Sequence, residues 1–155
     1  MAVTTQKSTQ LSRTMAAPGD GVQSSAGIQV CKFNFTQSGA GDATSVALLC
    51  ELSAGRVVII PELCKAVASA WGTSRTVAIG YAENVGRDGS VVAASTAALL
   101  TASTTAAAGG TIAGTSFIDL EVEVKNRLVI TATVAGGTIP DGATLVGRIA
   151  YLPLT

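Results

Sequence analysis

Apolar and polar positions alternate with period two over most of the chain, the spacing of strands that bury one face. In 28–35, Cys31, Phe33 and Phe35 share a face. In 44–52, Val46, Leu48, Cys50 and Leu52 alternate against Ser45, Ala47, Leu49 and Glu51. Ser53-Ala-Gly55 predicts a turn into 56–60, a β-branched run that reads as fully buried and is ended or confined to an edge by Pro61. In 73–81, Val77, Ile79 and Tyr81 oppose Thr76 and Ala78. The 83–90 stretch is a polar loop with a hairpin-type Asp88-Gly89. In 117–124, Ile118, Leu120, Val122 and Val124 face away from Asp119, Glu121 and Glu123, and Lys125-Asn126 reads as a tight turn. In 127–134, Leu128, Ile130 and Val134 oppose Thr131 and Thr133. After a loop bracketed by Gly136-Gly137 and Pro140-Asp-Gly142, 143–154 closes the pattern, with Leu145, Ile149 and Tyr151 against Val146, Arg148 and Leu152. Seven or eight such strands separated by Gly-rich turns predict an all-β fold, a single antiparallel β-sandwich or jelly-roll domain over 27–155.

Three stretches depart from the alternation. Residues 62–71 fit both a helical face and a strand, and strand neighbours on both sides favour the strand. Residues 91–114, dominated by Ala, Thr, Ser and Gly, leave helix, strand and loop all open, a short helix over 93–101 followed by a long loop through 106–110 being one fit. Residues 1–26 carry Leu11 and Met15 as the only large apolar side chains between Gln6 and Asp20, too few to anchor a packed element. They predict an extended or disordered N-terminal arm, read either as a floppy terminus or as an arm that orders by lying across a partner, with Leu11, Arg13 and Met15 as the contacts.

Composition narrows the function. Ten Lys+Arg balance ten Asp+Glu, and there is no histidine. Zero net charge argues against electrostatic nucleic-acid binding, and the missing histidine removes Ser-His-Asp, Cys-His and His-metal chemistry. Cys31, Cys50 and Cys64 lack CxxC spacing and sit in apolar runs, so they read as buried reduced thiols. No run reaches the about 18 apolar residues of a membrane helix, and the N-terminus has no signal-peptide h-region, which predicts cytoplasmic synthesis and no membrane partner. Ala, Thr, Gly and Ser make up 75 of 155 residues, a composition suited to close backbone packing rather than catalysis.

The candidate chemistry is sparse. Asp119, Glu121 and Glu123 on one strand face, with Arg127 beyond them, read as a solvated or subunit-interface charge lattice before they read as a metal site. Gly19-Asp-Gly21, Arg87-Asp-Gly89 and Gly39-Ala-Gly41 lack the rest of any calcium or phosphate loop, so no cofactor is expected. Trp71 and Tyr81 with the 103–115 loop form the one alternative site, that of a carbohydrate- or receptor-binding sandwich.

The order of these elements is itself informative. The polar arm precedes the Gly39-Ala-Gly-Asp42 turn, the Arg56-Val-Val-Ile-Ile-Pro61 run and the strand carrying Val77-Ala-Ile-Gly80. An Ala/Thr-rich excursion follows, and the chain ends in 126–142 and a closing strand. Over residues 28–155 this pattern resembles the small structural proteins of tailed-bacteriophage virions, in particular capsid decoration (cement) proteins. That resemblance implies a jelly roll or β-sandwich, no catalysis, a place on the outer capsid surface, attachment to the major capsid protein, and dimers or trimers. A neck, tail or head-fibre component is the alternative within the same class.

Overall fold

Eleven strands form among the residues that the computed structural model describes, which are 5–7, 27–42 and 45–154. They are β1 (Thr5–Lys7), β2 (Gln29–Thr36), β3 (Val46–Ile59), β4 (Lys65–Ala68), β5 (Thr76–Tyr81), β6 (Asn84–Val85), β7 (Val91–Val92), β8 (Ser95–Ser103), β9 (Gly110–Ile112), β10 (Glu121–Ala135) and β11 (Thr144–Leu154). Nine belong to one sheet in which β8, β5, β10, β3, β11, β4 and β9 are successive neighbours. β2 adds antiparallel to β11, β1 adds parallel to β3, and β6 with β7 forms a separate hairpin. Buried side chains from both arms of the sheet, such as Phe33, Phe35, Ala66 and Leu145 on one and Leu52, Ile79, Leu100 and Leu128 on the other, join a single core cluster. One sheet can bring both arms to one core only by curling over it. The all-β expectation holds, with a curled, mainly antiparallel sheet as its form.

The long central pair departs from the sequence reading. Ser53-Ala-Gly55 and Lys125-Asn126 are not turns. Each lies inside an unbroken strand, and the two sites face each other across the β3–β10 ladder. Val124 pairs with Gly55 and Arg127 with Ser53, so two residues of β10 oppose one of β3, and the bulge absorbs the irregularity that the sequence suggests as two reversals. Gly55, at φ +124°, supplies a backbone conformation that side-chain-bearing residues rarely adopt. A second shift, at Leu49, separates the Ile130–Cys50 pair from Thr131–Leu48. It changes which face points inward: Ala47 and Leu49 are buried before it, Cys50 and Leu52 after it. The single alternation expected for 44–52 is therefore broken in the middle. The 56–60 run is half-buried rather than fully buried, with Val57 and Ile59 inside and Arg56 outside.

The buried Asn84 serves the bulge in β10. Its Oδ1 accepts the Asn126 backbone N–H at 3.2 Å and its Nδ2 donates to the Glu123 carbonyl at 3.5 Å. Removing both contacts takes a donor and an acceptor away from part-buried bulge backbone groups. Asn84→Ala should therefore destabilise by about 1–3 kcal/mol, read as a lower urea midpoint with an unchanged slope.

In the small-residue stretch the structure chooses among the forms that the sequence leaves open. Residues 95–103 are strand β8 rather than a helix, and the helix is the single turn Thr105–Ala108 that follows. Pairing with β5 and burial of Leu99 and Leu100 outweigh a helix propensity carried mainly by alanine. Pro61–Leu63 form a 3-10 turn, so the expected 62–71 strand shrinks to β4. The expected 117–124 strand begins only at Glu121, which leaves Ile118 exposed and Asp119 off the strand.

Candidate interaction surfaces

Charged side chains line the outer face of the β3–β10 bend. Arg56 Nε meets Glu121 Oε1 at 2.7 Å, Lys125 Nζ meets Glu123 Oε1 at 2.6 Å, and Arg127 Nη1 meets Glu51 Oε2 at 3.5 Å. The register sets Glu123 opposite Arg56, with Glu121 on the diagonal within reach of the guanidinium. Three of the four candidate residues, Glu121, Glu123 and Arg127, thus enter cross-strand or same-strand ion pairs, while Asp119 is exposed beyond the strand end. Such exposed pairs contribute little stability, about 0–1 kcal/mol each, and their effect is to neutralise the face. Gly55, Arg56, Glu123, Val124 and Lys125 line a shallow depression there. No group of three His, Cys, Asp or Glu side chains among the described residues is arranged to hold a metal ion.

Leu11, Arg13 and Met15 lie outside the described residues. Near them, Thr5–Lys7 pair in parallel with Val46–Leu48. Gln6 clasps Ser38 with two hydrogen bonds, its Nε2 donating to the Ser38 carbonyl (2.8 Å) and its Oε1 accepting the Ser38 N–H (3.0 Å). Part of the segment read as an arm is therefore a strand on the edge of the sheet.

The alternative ligand site does not form as expected. Trp71 is 1% exposed, and its Nε1 donates to Ser69 Oγ and to the Thr144 carbonyl, both at 3.2 Å. A ring so enclosed offers no face to a sugar. The three thiols are free, with Cys50 and Cys64 buried and Cys31 half-buried. Burial, followed by the hydrogen bond with Cys31, pushes the Cys50 thiol well above its ordinary pKa. The Cys64 thiol is also raised by burial, while its sulfur accepts the Ala150 N–H at 3.3 Å and its S–H donates to the Ile60 carbonyl at 3.3 Å. Protonated, hydrogen-bonded thiols of this kind are structural rather than nucleophilic. No helix among the described residues is long and apolar enough to cross a membrane.

One feature escaped the sequence pattern altogether. On the outer face of β2, β11 and β4, Arg148 stands in register with Lys32 on one side and Lys65 on the other. Alternation places Lys32 and Arg148 outward, but only strand pairing shows that the three cations are neighbours.

The chain matches no protein-family model, and comparison with curated proteins returned no match. Its fold, however, occurs in chains of solved phage capsid structures. A chain in the capsid of Ralstonia phage GP4 superposes with a TM-score of 0.60 at 22% identity, over 87% of this chain and 90% of that one. A chain in the capsid asymmetric unit of cyanophage Pam1 gives a TM-score of 0.54 at 21% identity, over 88% and 91% respectively. At these identities the likeness is one of fold.

Proposed function

We propose that this protein is a non-enzymatic structural component of a phage virion, a decoration or cement protein seated on the outer capsid surface. One observation carries the reading: the two capsid chains share the fold along nearly their whole length as well as this chain's. The absence of histidine and the raised, buried Cys50 and Cys64 thiols accord with a role in packing rather than chemistry. The partner is the major capsid protein. Dimers or trimers at repeated lattice positions gain by multivalency, so modest contacts per copy suffice. The part of the N-terminal segment beyond β1, with Leu11, Arg13 and Met15, reaches capsid subunits, and β1 with residues 27–155 forms the domain that carries it.

The test is re-binding. Purified protein added to particles lacking it is expected to bind at many copies per particle and to raise the temperature at which they disrupt. Leu11→Asp/Met15→Asp is expected to abolish re-binding while the far-ultraviolet circular dichroism stays unchanged. Retained binding by that variant removes the arm from the mechanism. A small number of copies confined to one vertex would point to a neck or tail component instead.

A further inference from the structure

The outward strand positions of β2, β11, β4 and β9 carry three cations and no carboxylate, the exposed Glu62 lying in the adjoining Pro61–Leu63 turn. These positions are Val30, Lys32, Asn34 and Thr36 on β2, Thr144, Val146 and Arg148 on β11, Lys65 and Val67 on β4, and Thr111 on β9. Pairing sets Lys32, Arg148 and Lys65 side by side across three strands, a row about 10 Å long by the ordinary strand spacing. Like charges directly opposite one another destabilise a sheet, so the isolated protein bears a cost for this row. The β3–β10 face shows the contrast, since Arg56, Lys125 and Arg127 there each meet a carboxylate. Arg148 is also held in place, its Nε donating to the Leu63 carbonyl at 2.9 Å. Exposed valines flank the row, Val146 and Val67 paired on one side and Val30 on the other.

We infer that this face is a docking surface for an extended acidic segment of a partner protein, whose carboxylates neutralise the Lys32–Arg148–Lys65 row while its apolar residues cover the valines. Same-face side chains of an extended strand repeat about every 7 Å, so two carboxylates span the row. The chemistry favours a polypeptide over nucleic acid. The row is short, its flanks are apolar, and a chain of zero net charge lacks the broad positive field that phosphate binding uses. The inference rests on the virion reading for where the partner is met, but not for the chemistry of the contact.

The probe is a ten-residue peptide alternating Glu and Val, with a Lys/Val peptide and a 20-base-pair DNA duplex as comparisons, titrated against the full chain. The Glu/Val peptide is expected to bind, and to bind about tenfold more weakly when the ionic strength rises from about 0.05 M to 0.5 M, because salt screens exposed charges. Lys32→Glu/Lys65→Glu is expected to weaken it at least tenfold while the melting temperature stays the same or rises, since each new carboxylate faces Arg148. Failure of the wild-type protein to bind the Glu/Val peptide, binding unchanged in the double variant, or tighter binding to the duplex or the Lys/Val peptide would each overturn the inference. Peptide binding retained by a protein that does not re-bind capsids overturns the virion reading and leaves this surface standing.

Discussion

Gly80→Ala is expected to destabilise the protein by about 3 kcal/mol, the upper end of ordinary over-packing, and to lower the melting temperature by about 6–12 °C. A Cβ at Gly80 would come within 3.0 Å of three backbone atoms of β8: the Ser95 oxygen, the Thr96 carbonyl carbon and the Ala97 nitrogen. None is the end of a flexible side chain, so relief requires moving a strand. The register explains the crowding. Ile79 pairs with Leu100 and Tyr81 with Ser95, so β8 carries its surplus residues across the single position of Gly80. Gly89→Ala is the control, because its Cβ would meet nothing within 4 Å and only its φ of +80° resists substitution. It should cost about 1–2 kcal/mol. Calorimetry of the two variants separates backbone contact from backbone conformation, and equal losses would refute the close-approach account.

Trp71→Ala should have the larger effect, a loss of about 3–5 kcal/mol, which is a large share of the roughly 5–15 kcal/mol that stabilises a typical domain. The indole is fully enclosed just beyond β4. With Ser69 it ties that segment to β11: Nε1 donates to Ser69 Oγ and to the Thr144 carbonyl, while Ser69 Oγ accepts the Thr144 N–H at 2.9 Å. The Trp71 N–H in turn donates to the Ala106 carbonyl at 2.8 Å, joining the single-turn helix to the same point. Truncation opens a cavity and removes one of the two donors to the Thr144 carbonyl, which keeps the Ser69 backbone N–H at 3.0 Å. Trp71→Phe restores most of the volume but not the indole donor, and should lose less. Chemical denaturation followed by circular dichroism measures all three proteins. In the wild type the chain's one tryptophan should also report unfolding by a red shift of its emission. A Trp71→Ala protein as stable as wild type would show that the ring is not an anchor.

The places where sequence reading failed share a cause. Gly and polar dipeptides mark positions where the backbone can leave regular strand geometry, but do not say whether it reverses or merely bulges. At Ser53–Gly55 and Lys125-Asn126 it bulges, because each irregularity lies opposite the other and the ladder resumes beyond both. At Leu49 no turn residue marks the shift, and the alternation of 44–52 offers two apolar faces of similar quality. In 95–103 alanine-rich sequence favours helix locally, and only the empty position at Gly80 and the burial of Leu99 and Leu100 decide for strand.

The interaction surfaces divide in the same way. Glu121, Glu123 and Arg127 are legible as an outward charged set from alternation alone. The ion partners of Glu121 and Arg127, Arg56 and Glu51, come from a strand some seventy residues earlier in the chain. Lys32, Lys65 and Arg148 are scattered single cations in the sequence and a continuous row in the fold.

Taken by itself, the amino-acid sequence determines that this protein is all-β, that Phe33, Phe35, Leu145 and Ile149 face inward, and that histidine-based chemistry is absent, since these depend on residue type and period-two spacing. The tertiary structure alone decides the bulges, the curl of the sheet and which charges become neighbours. Those depend on pairing between strands far apart in the chain, where register is set by packing rather than by any local preference.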